Sequence, residues 1–400
     1  MIALDATLPK GPVLGWTSFH AIDSPQLACV EDLRHHALLT SGRAAIYQAL
    51  LQLDLPPGSG VLVPTYHCPT IVAPVLLAKL KVHYFGIGDD GLPALDGLDE
   101  AVVKSCRAIV VAHYFGLPKS LAAVRAWCDA HKIALIEDCA HSYFGEAGDR
   151  PVGAWGDYAT ASVSKFFPVS EGGLLASARH PLTALRLAPP GWRAQFKAWV
   201  DILEVASRYK RLAGMNALLK GIFWLKNVRA PSGPAPQPSA GTAADGYTAD
   251  GYMGDCDMAR IGQAPVAATR FLIRRLPHGR VVSKRRRNFE LYARKFAQVA
   301  GARPLFAGIP SASAPYVFPL WVDDSERVYQ ALRELKMPVF RWDRIWPGTP
   351  QIAGDVGPLW SRHVLQLLCH QDLEEADVEN VALAVLGLLV KPDGNAPARR

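Results

Sequence analysis

The chain has 400 residues, half of them apolar, with a net charge of +7 and seven cysteines. That length and apolar content exclude a disordered chain and allow a large core, split into two or three domain-sized units. The charge is local: between 186 and 229 nine Lys or Arg stand against two acids, Asp201 and Glu204, a surplus equal to that of the whole chain. The remainder is near neutral, which suits a small-molecule enzyme and argues against a nucleic-acid binder.

No apolar run approaches the roughly eighteen residues of a membrane span, and residues 1–19 lack a basic segment followed by an apolar core. A soluble, cytoplasmic protein is expected. The cysteines are odd in number, scattered and without CxxC spacing, so neither a disulfide framework nor a zinc site is expected.

In chain order, residues 1–40 show no clear period and read as an entry segment lying on the main domain. The small residues of 40–45 lead into a helix over 46–51. Exposed N–H groups at that start, with the Ser41 hydroxyl and Arg43 beside them, would seat a phosphate; an ordinary N-cap is the plainer alternative. A turn at 56–60 and a strand at 61–63 end in 64–69, where aromatic and polar side chains collect. A helix over 70–80, a strand over 82–85, a helix near 95–103, a strand over 108–112 and a helix over 121–131 follow. Alternating strands and helices from 40 to 177 predict a mostly parallel sheet with helices on both faces.

The stretch 133–177 organises the rest. Its apolar run 133–136 stops at Glu137 and Asp138, as a buried parallel strand does when it delivers a carboxylate at its carboxyl end, the edge where open α/β sheets bind ligands. Lys165 then lies in a bend, followed by Glu171, Gly172, Gly173 and a further strand at 174–176. A lysine in partly apolar surroundings loses proton affinity and becomes a nucleophile toward an aldehyde. Paired with an aspartate it points to pyridoxal phosphate, whose aldehyde the lysine would hold while the carboxylate keeps the pyridine nitrogen protonated. Taken alone, the pair also fits a solvated surface lysine.

Residues 182–229 form a basic helical region studded with Trp192, Phe196, Trp199, Phe223 and Trp224. It reads either as a helical pair with a solvated basic face or as a docking surface for a membrane or an acidic partner. Residues 230–250, rich in Pro, Gly, Ser and Ala, read as a mobile loop. The chain turns helical again from 258, and the cations 284–287 open a long helix to about 299, read as a solvated face. A strand over 316–322 and helices over 325–335 and 372–389 suggest a smaller α+β domain. The expected division is a large domain 1–254, a smaller one 255–390 and a tail 391–400.

With these pieces in order, the chain resembles the DegT/DnrJ/EryC1/StrS family of sugar aminotransferases, closely over 38–177 and loosely over 255–390. The resemblance rests on Ser41-Gly42 before a helix, the proline-aromatic strand end 64–68, Glu137-Asp138, and Lys165 followed by Glu171-Gly172-Gly173. It implies the aspartate-aminotransferase-like fold of type I pyridoxal-phosphate enzymes and a homodimer with the site near its interface. It also implies transfer of an amino group from glutamate or glutamine to a keto sugar, nucleotide-linked, for polysaccharide or secondary-metabolite synthesis.

Carried over by position, Lys165 would be the Schiff-base lysine and Asp138 the partner of the pyridine nitrogen. Ser162 would contact the cofactor phosphate together with Ser41, Gly42, Arg43 and Ala44, and His141 would stand where a glutamine reaches the cofactor hydroxyl. Three departures carry consequences. Cys68 occupies the place of an aromatic ring stacked on the pyridine, leaving that role to His67 or Tyr66. The loop between Asp157 and Lys165 is shorter than the common form. Asp255-Cys256-Asp257 stands where an asparagine and an arginine usually reach across the dimer. Arg193, Lys197 or the 284–287 cluster could supply a rim for a diphosphate. Two rivals remain: an enzyme of the same fold acting on a non-sugar substrate, and a binding or regulatory protein docking through 182–229.

Overall fold

The computed structural model describes residues 8–183, 185–219, 221 and 249–390. Of the loop expected over 230–250, residues 230–248 lie outside the described residues and 249–250 open the helix Ala249–Asp255 instead; the tail at 391–400, Phe223 and Trp224 also lie outside them. Short apolar runs, most deeply buried at the centre, build an eight-stranded sheet. Its strands are β1 His35–Leu39, β2 Gly60–Pro64, β3 Lys81–Ile87, β4 Pro93–Ala94, β5 Cys106–Ala112, β6 Ala134–Asp138, β9 Tyr158–Ser162 and β10 Gly173–Ser177; β7 Glu146–Ala147 and β8 Arg150–Pro151 form a separate hairpin.

The order is β1-β10-β9-β6-β5-β2-β3-β4. The five central strands, from β9 through β3, pair in parallel, while β10, β1 and β4 join antiparallel. Parallel neighbours need crossovers: α2 Pro69–Leu77 leads from β2 to β3, α3 Glu100–Ser105 precedes β5, α4 Ala122–His131 leads from β5 to β6, and the hairpin β7–β8 lies between β6 and β9, while α1 Gly42–Gln52 joins β1 to β2. The two-residue alternation of the strands divides their side chains between two cores. Val61, Val63, Val110 and Ile136 meet Ala45 and Ala49 of α1 and Ile71 and Val75 of α2. Leu62, Ile109, Val111 and Leu135 meet Val124 and Cys128 of α4. Each fully buried aliphatic side chain in these cores contributes about 1.5–3 kcal/mol.

β1 falls inside the segment where no period is visible. It is an edge strand paired only with β10, and its leading residues His35 and His36 are partly or fully exposed, so no alternation marks it. The long basic helix α5, Trp192–Arg208, occupies part of the 182–229 region. Beyond it come helices Ala249–Asp255, Ala267–Arg275 and His278–Lys295. A second, antiparallel sheet of β11 Ala302–Pro304, β12 Val317–Val322, β13 Val339–Phe340 and β14 Val364–Leu368 runs in the order β11-β12-β14-β13. Of these strands only β12 is legible beforehand. Helices Ser325–Glu334, Gly357–His363 and Glu375–Leu389 complete this half. All seven cysteines are free thiols. Among the described residues no helix is long and apolar enough to cross a membrane.

Candidate active site

Parallel pairing places Ala112 beside Asp138 and Asp138 beside Thr160, so the carboxyl ends of β5, β6 and β9 open on one edge. Asp138 closes β6 there, buried, with Oδ1 accepting the Ala140 N–H at 2.9 Å. One strand over, β9 gives way to the single 3-10 turn Val163–Lys165, which brings a half-buried Lys165 to the same edge. Burial pushes the Asp138 carboxyl above its ordinary pKa, opposed by Lys165, the Ala140 N–H and His113. Burial also lowers the Lys165 ammonium from its ordinary value, opposed by Cys68 and Asp138. The amine therefore loses its proton more readily than a solvated lysine, which raises its nucleophilicity near neutral pH. Glu137 turns away from this edge and braces the strand end, accepting from His113 Nε2 at 2.9 Å and from the N–H groups of Gly153 and Gly156.

The lysine turn is held by a residue that the sequence reading placed in solvent. Arg285, on the helix His278–Lys295, is fully buried. Its Nη2 donates to Lys165 O at 2.6 Å, its Nη1 to Pro315 O at 3.1 Å and Tyr316 O at 3.3 Å, and its Nε to Gln371 Oε1 at 2.9 Å. The guanidinium lies over the Phe166 ring, 4.5 Å from its centroid, and Gln371 Nε2 donates to Phe166 O at 2.7 Å. The solvated face expected for 284–287 is thus corrected. Arg286 donates to Pro310 O and Ser313 O, while Lys284 and Arg287 stand 4.0 Å from Glu374 and Glu375. The cue was available: Val281, Arg285, Phe289 and Tyr292 fall on one helical stripe, and all four are buried.

Beside the lysine lies the start of α1. Ser41 caps it, its Oγ accepting the Ala44 N–H at 3.2 Å, so that N–H is already satisfied. The N–H groups of Gly42 and Arg43 have no acceptor within the helix. Ser162 stands over this helix start: a Cβ built on Gly42 would lie 3.5 Å from Ser162 Cβ. A Cβ on Gly173 would lie 2.0 Å from Ser41 O, so β10 passes the helix start at a distance only glycine permits. Glu171, just before, forms an ion pair with Arg260 and accepts the Val266 N–H at 2.8 Å. The Glu-Gly-Gly run is an anchor followed by a close crossing. Arg43 turns from the helix start toward Asp257, with Nε donating to Asp257 O at 2.9 Å and Nη2 lying 3.6 Å from Oδ2. Asp255 pairs with Arg344 at 3.8 Å.

His141 is buried and stacks on Tyr316, with centroids 4.4 Å apart at 28°. The same Tyr316 ring lies 5.1 Å from Lys165 Nζ. Burial and the nearby lysine push His141 well below the ordinary histidine pKa. Its Nδ1 accepts the Phe115 N–H at 3.2 Å, so the neutral ring carries its proton on Nε2 and can donate there. Phe115 makes this bond from a left-handed backbone, φ 60°, a conformation that a bulky residue adopts at a cost of about 1–3 kcal/mol. Its carbonyl accepts the Tyr316 N–H at 2.8 Å, so one strained residue fixes both stacked rings.

The structure does not bring His67 to this group. It is fully buried, with Nδ1 at 2.9 Å from Pro64 O and 3.0 Å from Thr65 O, and Nε2 accepting the Trp346 N–H at 3.1 Å. Tyr66 is equally enclosed, packed against Tyr114, Trp342 and Trp360. Cys68 alone of the three lines the cavity of about 1000 Å³ that opens beside the lysine turn, together with Ser164 and Trp342. The cations on that cavity are Lys10, Arg208, Arg333, Lys336, Arg341 and Arg344, while Arg193, Lys197 and the 284–287 cluster are not part of its lining. Sequence reasoning missed Arg285 and Tyr316, and also the N-terminal segment 8–13, which supplies one wall.

A parallel sheet with an aspartate and a lysine on one carboxyl edge, beside a helix start, is the architecture of type I pyridoxal-phosphate enzymes. Solved structures agree on the fold. A DegT DnrJ EryC1 StrS aminotransferase from Brucella abortus superposes with a TM-score of 0.60 at 14% identity, covering 90% of this chain and 87% of its own. The aminotransferase TlmJ from Streptoalloteichus hindustanus gives 0.57 at 20% identity, covering 89% and 86%.

Residues 27–199, the stretch that carries Asp138 and Lys165, match the model of the DegT/DnrJ/EryC1/StrS aminotransferase family. Among curated proteins, the GDP-perosamine synthase of Vibrio cholerae is 27% identical over 207 residues, 50% of this chain and 56% of that protein. The UDP-N-acetyl-3-dehydro-alpha-D-glucosamine 3-aminotransferase of Acidithiobacillus ferrooxidans is 28% identical over 161 residues, 38% of this chain and 42% of that protein. The chain thus spans about half the length of the curated relatives it matches.

Proposed function

We propose that this chain is an aminotransferase that uses pyridoxal 5'-phosphate and moves an amino group from glutamate or glutamine to a keto sugar carried on a nucleotide. The observation that supports this most is the convergence of Asp138, Lys165 and the α1 start on one sheet edge. The donor set fits the cofactor. The Gly42 and Arg43 N–H groups and the Ser162 hydroxyl suit its phosphate, His141 Nε2–H its ring hydroxyl, Asp138 its pyridine nitrogen, and Lys165 its aldehyde. When bound, pyridoxal phosphate supplies an electron sink for the charge that develops on the substrate carbon.

This chain's own residues do the rest. Asp138 holds a proton at the ring nitrogen. As a free amine, Lys165 would move the proton between the substrate carbon and the cofactor carbon bonded to the same nitrogen, a role its lowered pKa favours. Arg285 fixes the backbone from which that amine swings.

Lys10, Arg208, Arg333 and Lys336, all exposed on the cavity, favour a substrate with two phosphate charges. The names of the Vibrio and Acidithiobacillus relatives, which carry GDP and UDP, accord with that. A homodimer in the cytoplasm with its site near the interface belongs to the same reading. The test is an absorbance spectrum with added pyridoxal phosphate for the wild type and Lys165→Ala, followed by borohydride and peptide mapping. A band fixed to Lys165, consumed by glutamate, is expected. No band, or the same reducible band in the variant, overturns the proposal.

A further inference from the structure

α5 and the helix Ala267–Arg275 lie side by side, joined where Gln195 Oε1 accepts the Ala267 N–H at 2.7 Å and where the Trp199 and Phe271 rings meet at 5.9 Å. α5 buries Ala198, Ile202 and Ala206, yet it leaves Trp192 74% and Phe196 67% exposed. These two stand one turn apart, with Trp199 a turn further on, so three aromatic rings share a stripe beside the buried face. Phe271, 47% exposed, extends it onto the second helix. Exposed cations flank the stripe: Arg193 and Lys197 on α5, and Arg270, Arg274 and Arg275 on its neighbour. Lys197 pairs with Asp201; among the described residues none of the four arginines has a carboxylate partner.

We infer that this face binds an anionic lipid surface. A second copy docking through the same face would bring like charges together, and a solvated helix has no use for a tryptophan so exposed. A bilayer bearing anionic headgroups meets both demands, taking the rings at the headgroup boundary and the arginines among the phosphates. α5 carries Val205 and Arg208 on the cavity wall, with Tyr209 just after it, so docking would bring that cavity close to the bilayer.

The test is co-sedimentation of the full chain with vesicles of phosphatidylcholine alone and of phosphatidylcholine mixed with phosphatidylglycerol, at low and high salt. Binding to the mixed vesicles alone, weakened by salt, is expected. It should fall about tenfold or more in Trp192→Ala/Phe196→Ala and again in Arg270→Glu/Arg274→Glu/Arg275→Glu, with both variants keeping wild-type circular dichroism and melting temperature. The inference is overturned by binding that either variant retains, or by equal binding to the neutral vesicles. It is equally overturned if the protein does not bind the mixed vesicles at all, or binds polyglutamate or DNA more tightly than vesicles. A lipid-free dimer that Trp192→Ala/Phe196→Ala dissociates would assign the face to a second copy instead.

Discussion

Arg285→Lys isolates what the guanidinium contributes to the lysine turn. The substitution keeps the charge and its desolvation cost but replaces three nitrogens, aimed in three directions, by one. The arginine serves Lys165 O, Pro315 O, Tyr316 O and Gln371 Oε1. An ammonium on a straight stem can occupy only one of the three nitrogen positions, so at least two buried acceptors lose their donor. At about 1–3 kcal/mol for each unsatisfied buried group, the expected destabilisation is roughly 2–6 kcal/mol. Urea unfolding with the midpoint and slope fitted together measures it. Because Lys165 O is the closest of the four acceptors, a second signature is expected: slower capture of added pyridoxal phosphate even in urea-free buffer, where the variant is folded. Stability within about 1 kcal/mol of wild type, together with unchanged capture, would refute the claim that this fork holds the site together.

Asp138→Asn should leave cofactor capture by Lys165 intact while slowing amine transfer from glutamate by about 10²–10³, since a neutral amide cannot keep the ring nitrogen protonated; single-turnover kinetics read both. The same change removes a group that raises the Lys165 pKa, so the pH midpoint of cofactor capture should move down, and an upward move would contradict the geometry. Gly173→Ala places a Cβ 2.0 Å from Ser41 O and must displace the α1 start. It should weaken binding of pyridoxal phosphate far more than that of pyridoxal, as paired titrations would show.

His67 and His370 are buried neutral, each with its pKa pushed from 6.5 down to about 4 by desolvation. Depressed histidines make the unfolded chain bind more protons between those values, so stability is full above pH 6.5 and falls as the pH drops toward 4. The loss approaches about 3 kcal/mol apiece. Denaturation midpoints that stay flat across that window would refute the assignment.

The central sheet was legible because its strands carry short apolar runs separated by helices, and the candidate edge could be proposed because Asp138 and Lys165 lie within one local run of the chain. The remainder depends on contacts between residues far apart in sequence. β1 reads as irregular because it becomes a strand only by pairing with β10. Tyr316 and Arg285 join the site across 151 and 120 positions from Lys165, and no local pattern announces that. His67, offered by its place in the chain as a stacking ring, is instead a keystone between Pro64, Thr65 and Trp346. The cations 284–287 look interchangeable in a row; the helix turns each of them toward a different neighbour.

The fork at Arg285 also sets an order of events during synthesis. The aspartate, the helix start and the lysine leave the ribosome first. The arginine follows the lysine by 120 residues, the carbonyls at 315 and 316 by 150 and 151, and the amide of Gln371 by 206. A nascent chain stalled before Gln371 would carry the reactive amine without the scaffold that steadies it. Under the proposed function, competence to hold the aldehyde would therefore wait on the emergence of Gln371.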